Sequence, residues 1–414
     1  MASMPDFDDG DDARRPFRVL TYSHDSFGLG HLRRSVTLAT ALVSRGRHVH
    51  ALCLTGSPVP DLFALPKQCD LVKLPSIGKG TGGQYVARRL PMSASEITSL
   101  RSDIVTATVR SFRPDLLLVD HTAIGPGGEL LPVLRRLRHE SLQTRVVLGM
   151  RDVLDTPLRA RAEIQRDATF EVLRTLYDHV LVYGDRSVFD PVREYGFPDD
   201  VAAKTTFTGP VVPPEALLGR ERPAREVPHV LVTTGGGEDG YELLRGVVAA
   251  LRGPLRSDSL RVTIVAGPLL AEDSYADLAR AVQGDPRIRL DRCTTAMQSL
   301  LDDADVVVGM GGYNTVYECL ARGRTLLVLP RRAPREEQWE RCRRLAALGH
   351  LRLLEHGEVA DPHATAASLR DALQQARGAP ARSLGCRGAE IAARTCLSQR
   401  RRRSGGSEAA RTIG

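Results

Sequence analysis

The sequence has few lysines and few aromatic residues for its size. Only four of its 57 basic residues are lysines, which leaves 53 arginines, and aromatic residues make up 5% of the 414 positions. No basic stretch is interleaved with the stacking aromatics that single-strand binders use. The net charge of +7 therefore reflects an arginine-rich composition, and we expect no nucleic-acid partner.

Long apolar runs and paired cysteines are also missing. No run approaches the ~18 apolar residues that a membrane helix requires, and the first residues are acidic where a secretion signal is basic and then apolar. The seven cysteines are widely spaced without a Cys-x-x-Cys pair, which favours reduced thiols over a disulfide framework or a zinc site. We expect a globular, cytoplasmic protein with no transmembrane segment.

What the sequence does contain is a regular alternation of short β-branched runs with longer amphipathic stretches. This alternation is typical of parallel sheets covered by helices on both faces, and the length favours two domains. The prolines clustered between 209 and 228 mark the boundary, because proline continues neither a sheet nor a helix. The predicted order is an acidic disordered tail (1–15), a doubly wound α/β domain (16–208), a proline-rich linker (209–228), a second doubly wound domain (229–385) and a basic tail (386–414).

Individual strands are predicted from the same runs. In the first domain they lie at 18–22, 48–54, 116–120, 145–150, 179–182 and 205–208, and a helix is expected over 31–45. In the second domain they lie at 229–233, 261–266, 288–290, 306–309, 325–329 and 350–354. Ligands of such sheets bind beyond the carboxyl ends of the strands, so the turns that follow strands are the places to look for chemistry.

The first strand is followed by Gly28-Leu29-Gly30-His31, which opens a helix. Glycines let a ligand approach the backbone, and a helix start offers free N–H groups to an anion. The same spacing also fits a tight turn without a ligand, and the absence of a complete G-x-G-x-x-G pattern argues against a nicotinamide or flavin site. His31 lies at the mouth of the predicted cleft, where it could act as a general base, or cap the helix, or contact a phosphate.

Asp120 ends another predicted strand of the first domain. It could orient His31, serve as the base itself, or only cap the next helix.

The second domain carries two glycine-rich turns after strands. Gly235 and Gly236 follow its first strand, and the predicted strand at 306–309 leads into Gly311, Gly312, Asn314 and Thr315. Glu318 falls one turn into the following helix, where its carboxylate could accept hydrogen bonds from ribose hydroxyls or simply occupy the acidic first turn of a capped helix. Gln338 follows a later strand and suits sugar hydroxyls, because an amide both donates and accepts.

These residues together resemble the GT-B superfamily of glycosyltransferases, which has two Rossmann-like domains facing across a cleft. The likeness is strongest to the branch of the peptidoglycan lipid-linked N-acetylglucosaminyltransferase (family 28 C-terminal-like) and to predicted bacterial glycosyltransferases. It is carried by Gly311-Gly312-x-Asn314-Thr315-x-x-Glu318, Leu329-Pro330, Glu337-Gln338, Leu345 and Gly349. In the first domain it depends only on Gly28-x-Gly30-His31 and Asp120.

The resemblance implies metal-independent transfer with inversion, from a nucleoside diphosphate sugar to an acceptor hydroxyl or amine. It favours uridine as the base and requires no cofactor or metal. Donor binding would fall to the second domain and the acceptor to the first, and a soluble acceptor such as a specialised metabolite is expected. Nucleotide-sugar epimerases and hydrolases share the architecture, and a non-catalytic binding protein is a third alternative.

Overall fold

The fold consists of two parallel sheets, each surrounded by helices. The computed structural model describes residues 15–25, 30–79, 85–140, 143–218, 226–378 and 384–398. The first sheet has seven parallel strands in the order β3-β2-β1-β6-β7-β8-β9, and the second has six in the order β12-β11-β10-β13-β14-β15. The predicted α/β class with two doubly wound domains is confirmed.

The strands of the first sheet lie between residues 17 and 207. They are β1 (Phe17–Ser23), β2 (Val49–Thr55), β3 (Cys69–Lys73), β6 (Leu116–Asp120), β7 (Arg145–Arg151), β8 (His179–Tyr183) and β9 (Thr205–Phe207). A separate antiparallel hairpin pairs β4 (Ile77–Lys79) with β5 (Tyr85–Ala87). The helices of this half are α1 (Gly30–Val43), α2 (Ala94–Phe112), α3 (Leu131–His139), α4 (Pro157–Arg166), α5 (Thr169–Leu176), α6 (Pro191–Glu194) and α7 (Asp199–Ala202).

The second sheet lies between residues 229 and 353. Its strands are β10 (His229–Thr233), β11 (Arg261–Val265), β12 (Ile288–Asp291), β13 (Val306–Gly309), β14 (Thr325–Val328) and β15 (Arg352–Leu353). The helices of this half are α8 (Tyr241–Arg252), α9 (Glu272–Val282), α10 (Met297–Asp303), α11 (Tyr313–Ala321), α12 (Glu337–Ala347), α13 (His356–Ala360), α14 (Pro362–Arg377) and α15 (Gly388–Ser398).

The prediction of a tail from residue 386 onward is wrong for the first part of that range. Residues 388–398 form α15, and Ala389, Ala392, Ala393 and Cys396 are buried in an apolar cluster shared with α1. These four positions recur at the spacing of one helix face. The segment therefore packs against α1 of the first domain instead of extending into solvent. Residues 399–414 of this tail lie outside the described residues. So do residues 1–14 of the amino-terminal tail.

Part of the proline-rich segment between the sheets packs into the core. Val211, Val212 and Ala216 are buried in the same apolar cluster as α15 and α11. Gly388 N–H donates to the Pro210 carbonyl at 3.0 Å, which fastens the start of α15 to this segment. The two domains are therefore joined through a shared core as well as through the chain.

Each sheet reverses its strand order once, between β1 and β6 in the first and between β10 and β13 in the second. Such switch points open a crevice at the carboxyl ends of the two strands. The turns after β1, β6, β10 and β13 contain most of the predicted site residues, so the topology itself brings them to the crevices. No helix within the described ranges is long and apolar enough to span a membrane.

Candidate active site

A cavity of about 510 Å³ lies where the two crevices face each other. This volume falls within the usual range for small-molecule sites. Predicted residues of both domains line it: Gly30, His31, Gly235, Gly236, Gly312, Asn314, Thr315, Glu318 and Gln338. Two further predicted residues, Asp120 and Gly311, lie behind the wall instead of in it, and Gly28 falls outside the described residues.

His31 is held by a buried ion pair. Its Nδ1 lies 2.6 Å from Oδ2 of Asp120, whose side chain is 3% exposed. Arg34 donates to both oxygens of Asp120, from Nε at 2.7 Å and from its terminal nitrogen at 2.6 Å. Burial alone would raise the pKa of Asp120, but the charge of Arg34 and the hydrogen bond to His31 outweigh it and hold the pKa well below its ordinary value.

The ionisation of Asp120 determines the direction of its hydrogen bond with His31. An ionised carboxylate only accepts hydrogen bonds, so the His31 Nδ1 atom carries the proton in this contact. The other ring nitrogen, Nε2, has no hydrogen-bond partner among the described residues. A histidine oriented in this way by a carboxylate is the arrangement used for general-base chemistry.

Two further histidines surround His31, and the sequence analysis gave neither a role. The ring centres of His24 and His121 lie 4.5 Å and 5.2 Å from that of His31. Burial lowers the pKa of both well below the ordinary histidine value, and nearby positive groups lower it further, so both are neutral at pH 7. Their position directly after β1 and β6, on either side of the switch point, is the sequence signal that could have identified them.

The start of α1 is fixed by Asp25, which the sequence analysis also missed. Its Oδ1 accepts from the Leu32 N–H at 2.8 Å, and its Oδ2 accepts from the Ser23 and Thr55 hydroxyls. The carboxylate thereby satisfies one of the free N–H groups at the first turn of the helix. Because His31 lies in that turn, Asp25 sets its position relative to β1.

In the second domain the cavity wall is largely backbone. Gly235 and Gly237 have positive φ angles of 65° and 93°, and a Cβ at Gly237 would lie 2.5 Å from the Ala266 carbonyl oxygen. Gly311 has φ of 79°, and a Cβ there would lie 2.7 Å from the sulfur of Cys342. These turns therefore require glycine. Gly312, immediately before α11, leaves the first turn of that helix open to the cavity.

Glu318 is reached from the opposite domain. Its Oε2 accepts from Arg33 on α1 at 2.5 Å and from Gln298 at 2.9 Å. Its Oε1 accepts no hydrogen bond from the described part of the chain. Nearby, the amide of Asn314 donates to the Gly30 carbonyl at 3.2 Å, so the starts of α1 and α11 touch.

Gln338 is oriented by the preceding loop. Its Oε1 accepts from the Arg331 N–H at 3.2 Å, and the Arg331 side chain donates to Glu337 Oε1 at 2.8 Å. Glu337 is 4% exposed, and its second oxygen, Oε2, is buried without a partner among the described residues.

A second buried ion pair joins the domains beside the cavity. Arg341 on α12 donates to both oxygens of Asp152, each at 2.8 Å, and both side chains are 0% exposed. The Tyr317 hydroxyl on α11 also donates to Asp152, at 2.6 Å. Asp152 directly follows β7, so this contact fixes the carboxyl end of that strand against the second domain.

No group of three or more histidine, cysteine or acidic side chains with metal-binding geometry occurs in the described ranges. The acidic run that begins at Asp302 directly precedes β13, so it lies at the amino end of that strand. Asp303 pairs with Arg261 and lies 3.1 Å from the ring of His229, and Asp305 accepts from the His229 N–H at 2.8 Å. These carboxylates are therefore at the opposite end of the sheet from the cavity, as their place in the sequence predicts.

Comparison with known proteins identifies this architecture. Residues 230–383 match the glycosyltransferase family 28 C-terminal domain. MurG of Acinetobacter baumannii is 14% identical, with 92% of this chain and 95% of that chain covered at a TM-score of 0.53. The kitacinnamycin glycosyltransferase is 17% identical, with 94% and 99% covered at 0.59. A putative UDP-N-acetylglucosamine 2-epimerase of Listeria monocytogenes is 15% identical, with 95% and 98% covered at 0.63.

A comparison with curated proteins finds no match. The likenesses show the GT-B fold, and the predicted resemblance to the branch that includes MurG is confirmed. The family 28 match points to a glycosyltransferase, and it covers residues 230–383 only. Because an epimerase shares the fold, the fold does not by itself select the reaction.

Proposed function

We propose that this protein is a metal-independent, inverting glycosyltransferase that moves a sugar from a UDP-linked donor to a hydroxyl or amine of a small soluble acceptor. The observation that carries the proposal is the position of His31. It faces the cavity shared by the two domains, with its Nδ1 held by Asp120 and its Nε2 unbonded within the described residues. The acceptor would enter from the first domain and the donor from the second.

The donor assignment is supported by the backbone of the second domain. The turns at 234–237 and 310–312 allow close approach of a diphosphate, and the first turn of α11 offers free N–H groups to its charge. Glu318 lies one turn further on, at a position suited to the ribose hydroxyls. Uridine as the base is supported by the likeness to the putative UDP-N-acetylglucosamine 2-epimerase.

In the proposed reaction the acceptor oxygen or nitrogen attacks the anomeric carbon. Its proton passes to Nε2 of His31, and the bond between the anomeric carbon and the diphosphate oxygen breaks. The electron pair of that bond leaves with the nucleoside diphosphate. Attack from the face opposite the leaving group inverts the anomeric centre, and the proton leaves His31 to solvent after release.

Metal independence is supported by the placement of charge. The acidic run beginning at Asp302 lies at the far end of the second sheet and could not bridge a divalent ion to a diphosphate in the cavity. Helix N–H groups and cationic side chains would instead stabilise the departing diphosphate.

An epimerase or hydrolase is the second candidate, favoured by the likeness to the Listeria epimerase. An epimerase needs several acid and base groups around one sugar. Of the described cluster of His24, His31, Asp120 and His121, however, His31 alone lines the cavity. This arrangement favours transfer, which needs one base and room for an acceptor.

The test is the release of nucleoside diphosphate from a donor sugar, measured with and without candidate acceptors. A thermal-shift screen of nucleoside diphosphates and their sugars first selects the donor. Release that depends on acceptor supports transfer, release without acceptor indicates hydrolysis, and a changed sugar without release indicates epimerisation. Binding without any of these outcomes would contradict an enzymatic function.

A further inference from the structure

Arg151 is a cation of the cavity wall that forms no ion pair within the described residues. It is the last residue of β7, it lines the cavity, and its Nε is buried without a hydrogen-bond partner among the described residues. One terminal nitrogen lies 3.5 Å from Nε2 of His121, which is a weak contact with a neutral ring.

The other arginines of the cavity wall differ in this respect. Arg33 pairs with Glu318 at 2.5 Å, Arg34 with Asp120 at 2.6 Å, and Arg331 with Glu337 at 2.8 Å. No carboxylate of the described residues lies within ion-pair distance of Arg151. An uncompensated buried charge is costly, so proteins rarely retain one that meets no partner at any stage of function.

The surroundings of Arg151 disfavour its charge on balance. Burial and the neighbouring charges of Arg34 and Arg341 together lower the pKa of Arg151 to about 10, although Glu337 and Asp152 oppose them. The guanidinium is still charged at pH 7. The guanidinium of Arg341 also approaches the Gly311 carbonyl, at 3.4 Å. Arg341, a neighbour of Arg151, therefore lies close to the turn that opens α11.

We propose that Arg151 contacts the diphosphate of the donor from the first domain, opposite the first turn of α11, and stabilises the charge that it gains on leaving. This inference rests on the proposed function. As the bond from the anomeric carbon to the diphosphate oxygen breaks, its electron pair adds negative charge to the diphosphate, and a guanidinium already positioned in a poorly solvated site stabilises that charge effectively. The leaving-group site is thus completed by a residue of the domain that also carries the base.

The experiment compares UDP with uridine on the full chain. Arg151→Met removes the charge at similar length, and we expect the affinity for UDP in calorimetry to fall by about 10- to 100-fold, the range for loss of a charge-assisted hydrogen bond. The affinity for uridine, measured by NMR titration, should not change. Arg151→Lys keeps a point charge and should recover part of the lost UDP affinity.

Arg166→Met is the matched control, because Arg166 lies outside the cavity on α4 and its side chain is 69% exposed. It should leave both affinities unchanged. The melting temperature of Arg151→Met should equal or exceed that of the wild type, since the substitution removes an uncompensated charge. A lower melting temperature together with equal loss of UDP and uridine binding would mean a structural role and would overturn the inference.

Two failures are distinguishable. If the wild-type protein binds none of UDP, TDP, GDP and ADP, the proposed function fails and the inference fails with it. If the wild type binds UDP and Arg151→Met binds it equally well, only the inference about Arg151 is wrong.

Discussion

The two walls of the cavity differ in what they present to a ligand. The wall from the second domain consists mainly of glycine turns and a helix start, so it presents backbone. The wall from the first domain presents side chains that are fixed by buried hydrogen bonds: His31 on Asp120, and Asp120 on Arg34. Backbone recognition suits a diphosphate, which all nucleoside diphosphate sugars share, whereas positioned side chains suit proton transfer to and from a particular acceptor.

This difference also explains which wall can be recognised in a sequence. A glycine turn and the helix after it are contiguous, so the second domain carries a pattern from Gly311 to Glu318 that matches a known family domain. The first wall and the side chains directly behind it bring together His24, His31, Asp120 and Arg151 from the ends of three strands and one helix. No short pattern spans them.

The largest effect should come from the base. His31→Ala should lower turnover about 100-fold or more while leaving donor affinity nearly unchanged, because general-base catalysis contributes roughly 10² to 10⁴. Turnover is measured as acceptor-dependent release of nucleoside diphosphate, and affinity by calorimetry. Loss of donor affinity would instead make His31 a phosphate contact. If neither turnover nor donor affinity changes, the proposal that the first wall supplies the base is wrong.

The buried pair between the domains should have the next largest effect, on stability. Arg341→Met leaves Asp152 charged and unpaired in the interface, which should lower the free energy of unfolding by about 3–5 kcal/mol. Urea unfolding measures it. As a control, Arg174→Met removes a pair with Asp200 whose side chains are 44% and 48% exposed, and it should change the free energy of unfolding far less, because solvent screens the pair. Equal losses in the two variants would show that the interface pair does not fasten the domains.

The ribose contact should have a smaller effect, confined to donor binding. Glu318→Ala should weaken the binding of nucleoside diphosphate by about 1–3 kcal/mol, through loss of charge-assisted hydrogen bonds. Calorimetry measures it, and Glu272→Ala, with a side chain 82% exposed, is the control. Unchanged affinity would reject Glu318 as the ribose ligand, and the contact with Arg33 would then be its main role.

Much of the fold follows from sequence pattern, and the exceptions have physical causes. The predicted strands at 116–120, 229–233 and 306–309 coincide with β6, β10 and β13, because buried central strands are continuous apolar runs. Strand β3 was missed because it lies at the edge of the sheet, where Cys69-Asp70-Leu71-Val72-Lys73 mixes polar with apolar residues. Helix α15 was missed because the arginines that follow it suggested a tail.

The site was harder to predict for a different reason. Asp120 and His31 each lie beside a strand end, and their 2.6 Å contact is a consequence of strand order that no local pattern encodes. Arg34 and Arg151 are two of 53 arginines, so their residue type carries almost no signal in this sequence. They stand out only through burial, and in Arg151 through the absence of a carboxylate partner in the described part of the chain.

The smallest expected effect on turnover is that of removing divalent metal. This experiment tests whether the two walls together supply the charge that stabilises the diphosphate. If helix N–H groups and Arg151 neutralise the diphosphate, excess chelator should leave turnover unchanged, because the charge that a metal would supply is already present in the protein. The measurement is acceptor-dependent release of nucleoside diphosphate in chelator, then after addition of magnesium or manganese. Full loss of turnover that either metal restores would overturn the metal-independent mechanism. The carboxylates at the far end of the second sheet could not explain such a requirement, so attention would move to the carboxylates of the cavity wall, such as Glu337, whose Oε2 is buried without a partner among the described residues.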